Sequence, residues 1–385
     1  MNFDFYNYFF TSIPRLLILV LAFFVIIQLI YYWIIFSRLA FKKHKSHADA
    51  SHPVSVIVCA RNEYQNLKEF LPVILEQDYP CYEVILINDD SDDDTGFLIR
   101  DLQLKYAHFR VVNIDRSVSF IKGKKFALSV GIKESKHNHI LLTDADCVPS
   151  STKWIQLMQN GFIDKSTMVL GYGRYEKKRG LLNLLVRFDT VHTAMQYLSL
   201  ALAKHPYMGV GRNLSYTKSL FEAQKGFTSH YAVPYGDDDL FVNKATKKNQ
   251  ANVVYTVDSQ TVSIAPKTWG AWFRQKKRHM DTGKHYRFAT KFVLSIYAAS
   301  ALFFYVVLVF LSIYVALNFQ LLDVILISSL FFIRFISQII VFSGVCRKLS
   351  EKKLAWSVPF LDIVFTVLYP LWSFSNLIIP KNRWK

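Results

Sequence analysis

The sequence predicts an α/β domain on a mainly parallel sheet, tied to a membrane by one N-terminal helix and three C-terminal ones. Three observations predict it. Apolar, β-branched runs alternate with helical patterns from residue 52 to about 150, as expected of parallel strands covered on both faces. Polar clusters end several of those runs, where ligands bind in such sheets. Hydrophobic residues, 52% of the 385, are concentrated in blocks at the two ends of the chain.

The first block, LLILVLAFFVIIQLIYYWIIF at 16–36, carries no charge and exceeds the ~20 residues a helix needs to cross a bilayer. It has no small-residue cleavage site, so it reads as a retained anchor. Three more candidate spans follow at roughly 292–316, 321–345 and 360–379. The expected division is an anchor over 1–41, a water-soluble domain with interfacial helices over 42–290, and membrane helices over 291–385. A short polar stretch, KKHKSHADASH before Pro53, is the nearest thing to a linker.

Lys and Arg in the short flanks orient these spans. RLAFKKHK follows the first span and RQKKRHMDTGKHYR precedes the second, which places both ends of the soluble domain in the cytosol. NFQLLD, between spans two and three, has no Lys or Arg, and CRKLSEKKL, between three and four, is basic. The terminal KNRWK opposes this pattern: either it lies outside against the bias, or the Pro370-broken last segment stops short. Crossing is the reading adopted. The expected setting is the inner membrane of a bacterium, with the soluble domain cytosolic.

The chain carries 46 Lys and Arg against 29 Asp and Glu. No zinc spacing or basic-aromatic platform accompanies that excess, which argues against nucleic acid. The basic residues gather beside the spans, so membrane lipids with anionic headgroups are the expected partners. Cys59, Cys81, Cys147 and Cys346 show no pairing or metal-ligand spacing, as on a reducing cytosolic face.

VSVIVCA at 54–60 supplies the first strand. Asn62 offers a cap for the helix in which Leu67, Phe70, Leu71, Ile74 and Leu75 recur, and Pro72 is expected to kink that helix. YEVILIND is the second strand, a helix lies near 95–107, RVVNI is the third strand, and a helix runs through KKFALSVGIKES. HNHILLTD is the fourth. Residues 180–205 read as a long helix with a broad apolar face, either a core helix or one that skims the membrane.

The fourth strand ends on Asp144 and Asp146. Residues two apart on an extended segment face the same way, so both carboxylates can point into one cleft while Ala145 turns aside. Mg²⁺ or Mn²⁺ takes such oxygen ligands together with substrate phosphates; a solvated Asp-rich turn has the same spelling. NDDSDDDT at 88–95 is ambiguous in the same way. There Asp89 is placed to accept from a base or ribose, while Asp92, Asp93 and Asp94 suit the start of the next helix.

Lys124 and Lys125 follow Gly123 at a helix start, where a lysine opposes the helix dipole and a nearby anion would explain it. PYGDDDLFVNKA at 234–245 offers either a helix cap or a carboxylate base. WGAWFRQKKRHM places Trp269, Trp272 and Phe273 on one face, as in an interfacial anchor, with Gln275 and Arg278 one helical turn apart.

The order of these motifs resembles membrane-bound family 2 glycosyltransferases, over about 52–290. The family's first strand and turn match Ala60, Arg61, Asn62 and Glu63. Its DDxSxDxT turn matches 88–95, with Asn88 in place of the first aspartate. GKxxAL matches Gly123, Lys124, Ala127 and Leu128; DxD matches Asp144 and Asp146; and the ED base motif matches Asp237 and Asp238. QxxRW matches Gln275 and Arg278, with His279 replacing tryptophan, and GxGxNLxY matches GVGRNLSY at 209–216.

The resemblance implies a GT-A fold and an inverting transfer from a nucleotide-sugar donor, UDP-linked by that resemblance; the expected acceptor is a lipid or membrane-embedded hydroxyl. It implies a catalytic base at Asp238, then Asp237. Donor contacts are implied at Ala60, Arg61, Glu63, Asp89, Lys124, Asp144, Gln275 and Arg278, and a Mg²⁺ or Mn²⁺ ion at Asp146 and Asp144. Gly211, Arg212, Asn213 and His279 are implied on the acceptor side. One anchor and three spans are few for a polysaccharide channel, which favours a membrane acceptor over polymer export. The same layout resembles ceramide glucosyltransferases.

Overall fold

The computed structural model describes residues 9, 12–42, 51–115, 123–163, 166–246 and 250–378, with side chains to 373. KNRWK, most of the basic linker and the start of FIKGKKFAL lie outside the described residues. The chain divides into two compact units, an α/β unit within Lys43–Arg287 and a helical unit that includes the stretch from Phe288.

The α/β unit is built on a seven-stranded sheet ordered β3-β2-β1-β4-β8-β6-β9. Its parallel half comprises β1 (Val54–Ala60), β2 (Tyr82–Asp89), β3 (Phe109–Ile114) and β4 (His139–Asp144). β8 (Leu214–Thr217) runs antiparallel between β4 and β6 (Met168–Leu170), and β9 (Ala251–Val253) pairs with β6 in parallel. The runs predicted to be covered on both faces are so: Val54, Val56, Ile57 and Val58 are buried, as are Val84, Ile85, Leu86 and Ile87.

A smaller sheet, β5-β10-β7, takes β5 (Cys147–Pro149), β7 (Gly173–Tyr175) and β10 (Thr261–Ser263). The Asp144–Asp146 pair therefore lies where the chain leaves one sheet for the other. In the large sheet, Asp144 stands opposite Cys59, Ala60 opposite Asn88, and Asn88 opposite Asn113. This register gathers the polar strand ends at one edge.

Helix α1 is the membrane candidate Ile13–Phe41, with a π-helical stretch at Tyr31–Phe36. α2 (Tyr64–Leu75) runs through Pro72 as one helix and begins after Glu63, not at an Asn62 cap. Asn62 instead adopts a left-handed φ of 56°. Its side-chain oxygen accepts the Asp92 N–H, and its own N–H donates to Ser91 Oγ. α3 (Thr95–Lys105) and α4 (Lys124–Glu134) follow. Of the three aspartates placed before α3, Asp93 makes the side-chain bonds, accepting N–H groups from Thr95 and from Tyr64 of α2. α5 is Trp154–Gln159.

α6 (Leu181–Leu202) is a core helix: Leu185, Val186, Phe188, Val191, Met195, Tyr197 and Leu198 are all buried. The membrane-skimming alternative for 180–205 gives way to that burial. α7 is Lys218–Ala223, α8 is Asp239–Ala245 and α9 is Trp269–Gly283. The aromatic face predicted on α9 is split: Trp269 and Phe273 are exposed, but Trp272 is 1% exposed. Lys276 of α9 pairs with Asp189 of α6.

In the helical unit, α1 is joined by α10 (Phe288–Leu317), α11 (Leu321–Lys348) and α12 (Val358–Ile378). Among the described residues, four helices are long and apolar enough to cross a membrane, the last candidate covering Lys352–Ser373. Ile18, Leu21 and Val25 of α1 pack with Phe304, Val307 and Leu311 of α10. Arg334 of α11 is 1% exposed and donates to Asp362 of α12 at 2.8 Å. Tyr305 of α10 donates to the same carboxylate oxygen.

Candidate active site

Asp144, Asp146 and Cys147 offer ligand atoms that all lie within 4.8 Å of one another. Ala145 is buried, so the alternation read from the sequence turns both carboxylates the same way. Burial, and then the Asp144 charge, push the Asp146 carboxyl above the usual range. Two carboxylates are the donor set a hard divalent cation prefers. The Cys147 thiol does not add to that set. Burial raises it well above its ordinary value, and it is engaged with Asp146 Oδ1 and Ser263 Oγ.

A cleft of about 280 Å³ opens beside this pair, with Tyr175, Arg212, Gln275 and Arg278 among its walls. Gln275 Nε2 donates to Tyr175 Oη at 2.8 Å, and the Arg278 guanidinium lies 5.5 Å from the Tyr235 ring centre. The structure therefore brings Asp144, Asp146, Gln275 and Arg278 together across more than a hundred residues of sequence. Tyr175 was missed. Its signal was the GYGRY run, where two glycines leave an aromatic room to face a neighbour.

Lys124 connects this cleft to the three aspartates. Gly123, at φ 111°, turns the chain into α4. Lys124 Nζ then reaches Asp144 Oδ1 at 2.6 Å and Asp237 Oδ2 at 3.3 Å. Burial disfavours its charge, but Asp144, Asp237 and Asp238 outweigh that and hold the ammonium well above its ordinary value. Those carboxylates are the anions that a lysine at a helix start called for. Lys125 turns away and donates to the His230 and Val233 carbonyls, tying down the segment ahead of the aspartates.

Asp237, Asp238 and Asp239 have different partners. Asp237 faces Lys124. Asp238 is the N-cap of α8, and its two oxygens accept from the Asp239 and Gly211 N–H groups at 2.7 and 2.8 Å. Burial, with Asp237 and Asp239 alongside, raises the Asp238 carboxyl to about 7. Asp239 is buried and receives the Thr282 and Tyr286 hydroxyls. The helix-cap reading of this segment is met at Asp238, the same carboxyl whose pKa is raised.

The GRN turn at 211–213 also divides. Gly211 holds Asp238, Arg212 lines the cleft, and Asn213 turns into the core. Asn213 is fully buried; its Nδ2 donates to the Tyr172 and Ser259 carbonyls, and its Oδ1 accepts the Trp154 indole N–H. The acceptor-side placement of Asn213 is therefore corrected to a structural one. The Arg212 side chain shares a cleft with Asp144 and Asp146, the residues assigned to donor and metal. His279 is exposed on α9.

At the same carboxyl edge of the parallel strands, Ala60 and Asp89 are buried, while Arg61 and Glu63 are part-exposed. Burial raises the Asp89 carboxyl, against the lowering effect of Arg61. Burial raises Glu63 too, while Asn66 donates to it. Asn88 Nδ2 donates to Asn113 Oδ1.

The fold and the site define a glycosyltransferase of the GT-A class. The chain belongs to the family described as Glycosyltransferase like family 2, which matches residues 52–282. It is 26% identical over 239 residues to the probable glycosyltransferase YdaM of Bacillus subtilis, covering 58% of this chain and 54% of that protein. A poly-beta-1,6-N-acetyl-D-glucosamine synthase of Staphylococcus epidermidis is 32% identical over 104 residues, 27% of this chain and 24% of that protein. The chain spans about half the length, or less, of these curated relatives. Among solved structures, the mannosyltransferase PcManGT from Pyrobaculum calidifontis matches with a TM-score of 0.57 at 17% identity. The match covers 94% of this chain and 99% of that one, and it shows a shared fold.

Proposed function

We propose that the protein transfers a sugar, with inversion, from a nucleotide-sugar to a hydroxyl of a lipid or membrane-associated acceptor, on the cytosolic face of a membrane. The observation that carries this reading is the Lys124 bridge, which joins the Asp144–Asp146 cleft to the aspartates that include Asp238. Asp238, with its raised pKa, accepts the acceptor's proton as that oxygen attacks the anomeric carbon. Gly211 N–H keeps the accepting carboxylate oriented. The nucleoside diphosphate leaves on the opposite face, where Arg278 and Gln275 hold it.

Asp146 and Asp144 would hold Mg²⁺ or Mn²⁺, which supplies Lewis-acid neutralisation of the leaving charge. The two carboxylates fit that ion, and the related fold of the Pyrobaculum calidifontis enzyme is described in complex with GDP-Man and Mn²⁺. UDP is the nucleotide expected from the family resemblance, with Asp89, Arg61, Glu63 and the Ala60 backbone around the nucleoside. His279, exposed beside Arg278, offers an aromatic face to the acceptor. Membrane lipids surround the four candidate spans.

A second reading is a processive polysaccharide synthase, supported by the N-acetylglucosamine polymer synthases among the relatives. A glycolipid synthase like the ceramide glucosyltransferases is the narrower form of the first. The deciding experiment incubates the purified full chain with Mn²⁺ and a panel of UDP- and GDP-sugars and measures nucleoside diphosphate release. Turnover that EDTA and Asp146→Ala abolish is expected; no turnover with any donor overturns the reading. Product length separates the two forms: one sugar per acceptor for a single transfer, a growing chain for a synthase.

A further inference from the structure

We propose that Arg212, stacked on Tyr175, binds the diphosphate of the donor, and that Tyr175 is the positioning residue that holds it there. The inference rests on the donor reading of the cleft and moves Arg212 from the acceptor side to the leaving-group side.

The backbone of Arg212 is anchored from both sheets. Its carbonyl accepts Thr143 Oγ1 of β4 at 3.2 Å and Thr261 Oγ1 of β10 at 2.9 Å. The side chain then runs along Gly173, where an added Cβ would stand 2.5 Å from Arg212 Nε. No larger residue leaves room for that path. The guanidinium ends over the Tyr175 ring, 4.5 Å from its centre. The Tyr175 hydroxyl takes the Gln275 side-chain N–H, so one ring sets two cleft residues.

One donor of this arrangement is left unused within the protein. Arg212 Nε is buried and, among the described residues, finds no hydrogen-bond partner. An unpaired buried donor is costly to keep, and stacking on an aromatic ring leaves the planar edge of a guanidinium open for oxygens. A phosphate presents several anionic oxygens to such a fork, with a charge-assisted gain that a neutral acceptor hydroxyl cannot give. The cleft also needs cations, because Asp144 and Asp146 alone would repel a diphosphate. Arg212 and Arg278 supply two. Gly211, one residue earlier, holds Asp238, so a single turn sets both the base and the leaving-group site.

The test is calorimetry on the detergent-purified full chain with Mn²⁺, titrating UDP and GDP and then UMP and GMP. Arg212→Ala should weaken whichever nucleoside diphosphate binds by about tenfold or more, and the matching monophosphate much less. Gly173→Ala, which displaces the guanidinium, should reproduce the loss. Tyr175→Leu should weaken the diphosphate, whereas Tyr175→Phe, which keeps the stack, should restore most of it. If Arg212→Ala fails to fold, Arg212→Lys carries the same comparison, keeping the charge but losing fork and stack. Wild-type protein that binds neither diphosphate overturns the donor reading and this inference together. Wild-type binding that Arg212→Ala leaves intact, or diphosphate and monophosphate affinities that fall equally, overturns this inference alone.

Discussion

Lys124 Nζ lies 2.6 Å from Asp144 Oδ1 and also reaches Asp237, so one ammonium joins the Asp144–Asp146 pair to the aspartates at the start of α8. Its charge also lowers the pKa of Asp238 against the effect of burial. Lys124→Gln should therefore shift the acid limb of the activity profile to higher pH, in addition to lowering kcat/KM. A pH profile of donor turnover reads both. A lowered rate with an unmoved limb would confine Lys124 to substrate binding.

As the proposed base, Asp238 should give the wild-type profile its shape. Its carboxyl is raised to about 7 by burial and by Asp237 and Asp239, and a base works only in its ionised form. Below that pH the active fraction should fall about tenfold per unit, and above it the rate should level off. Asp238→Asn should lower kcat by about 10²- to 10⁴-fold at every pH while leaving donor binding intact, as measured by calorimetry. A flat wild-type profile between pH 5 and 8 would count against Asp238 as the base.

The parallel half of the sheet was legible in the sequence because β1, β2 and β4 each hold a continuous apolar run ended by polar residues, while β3, at the edge, shows only a short Val111–Val112 core. The antiparallel half was not. β6 and β9 have three residues and β8 has four, too short for a period to declare itself, and they exist through their neighbours. Asp144 and Asp146 were legible because a two-residue period dictates a shared face. Arg212, Asn213 and Gly211 were grouped by one motif, but a tight turn sends adjacent residues in three directions, and spelling carries no sign of that. Tyr175 was hidden for the same reason as Trp272: whether an aromatic faces solvent, a ligand or a core depends on what packs over it.

Asn213 tests that distinction. Its amide makes three buried hydrogen bonds, including one from the Trp154 indole. Asn213→Ala would leave Trp154 Nε1 and the Ser259 carbonyl without these partners and would leave the Tyr172 carbonyl only the Thr261 N–H, a loss on the order of 3 kcal/mol. A lower melting temperature is expected, with KM for the acceptor unchanged in the protein that remains folded. A raised acceptor KM at unchanged stability would return Asn213 to the acceptor side.

Arg334 and Asp362 make the corresponding commitment within the helical unit. The pair is buried at 2.8 Å, and Tyr305 donates to the same Asp362 oxygen while Arg334 stacks over the Phe304 ring. Charges inside a membrane span persist where they are paired, and breaking such a pair strands the survivor. Asp362→Ala should therefore destabilise the protein by about 3–5 kcal/mol, whereas replacing both partners with apolar residues of similar volume should recover much of that loss. Melting of the single variants Asp362→Ala and Arg334→Met, and of Arg334→Met with Asp362→Leu, measures the coupling. A double variant no more stable than either single would mean that the hydrogen bonds to Tyr305, and not charge pairing, hold α10, α11 and α12 together.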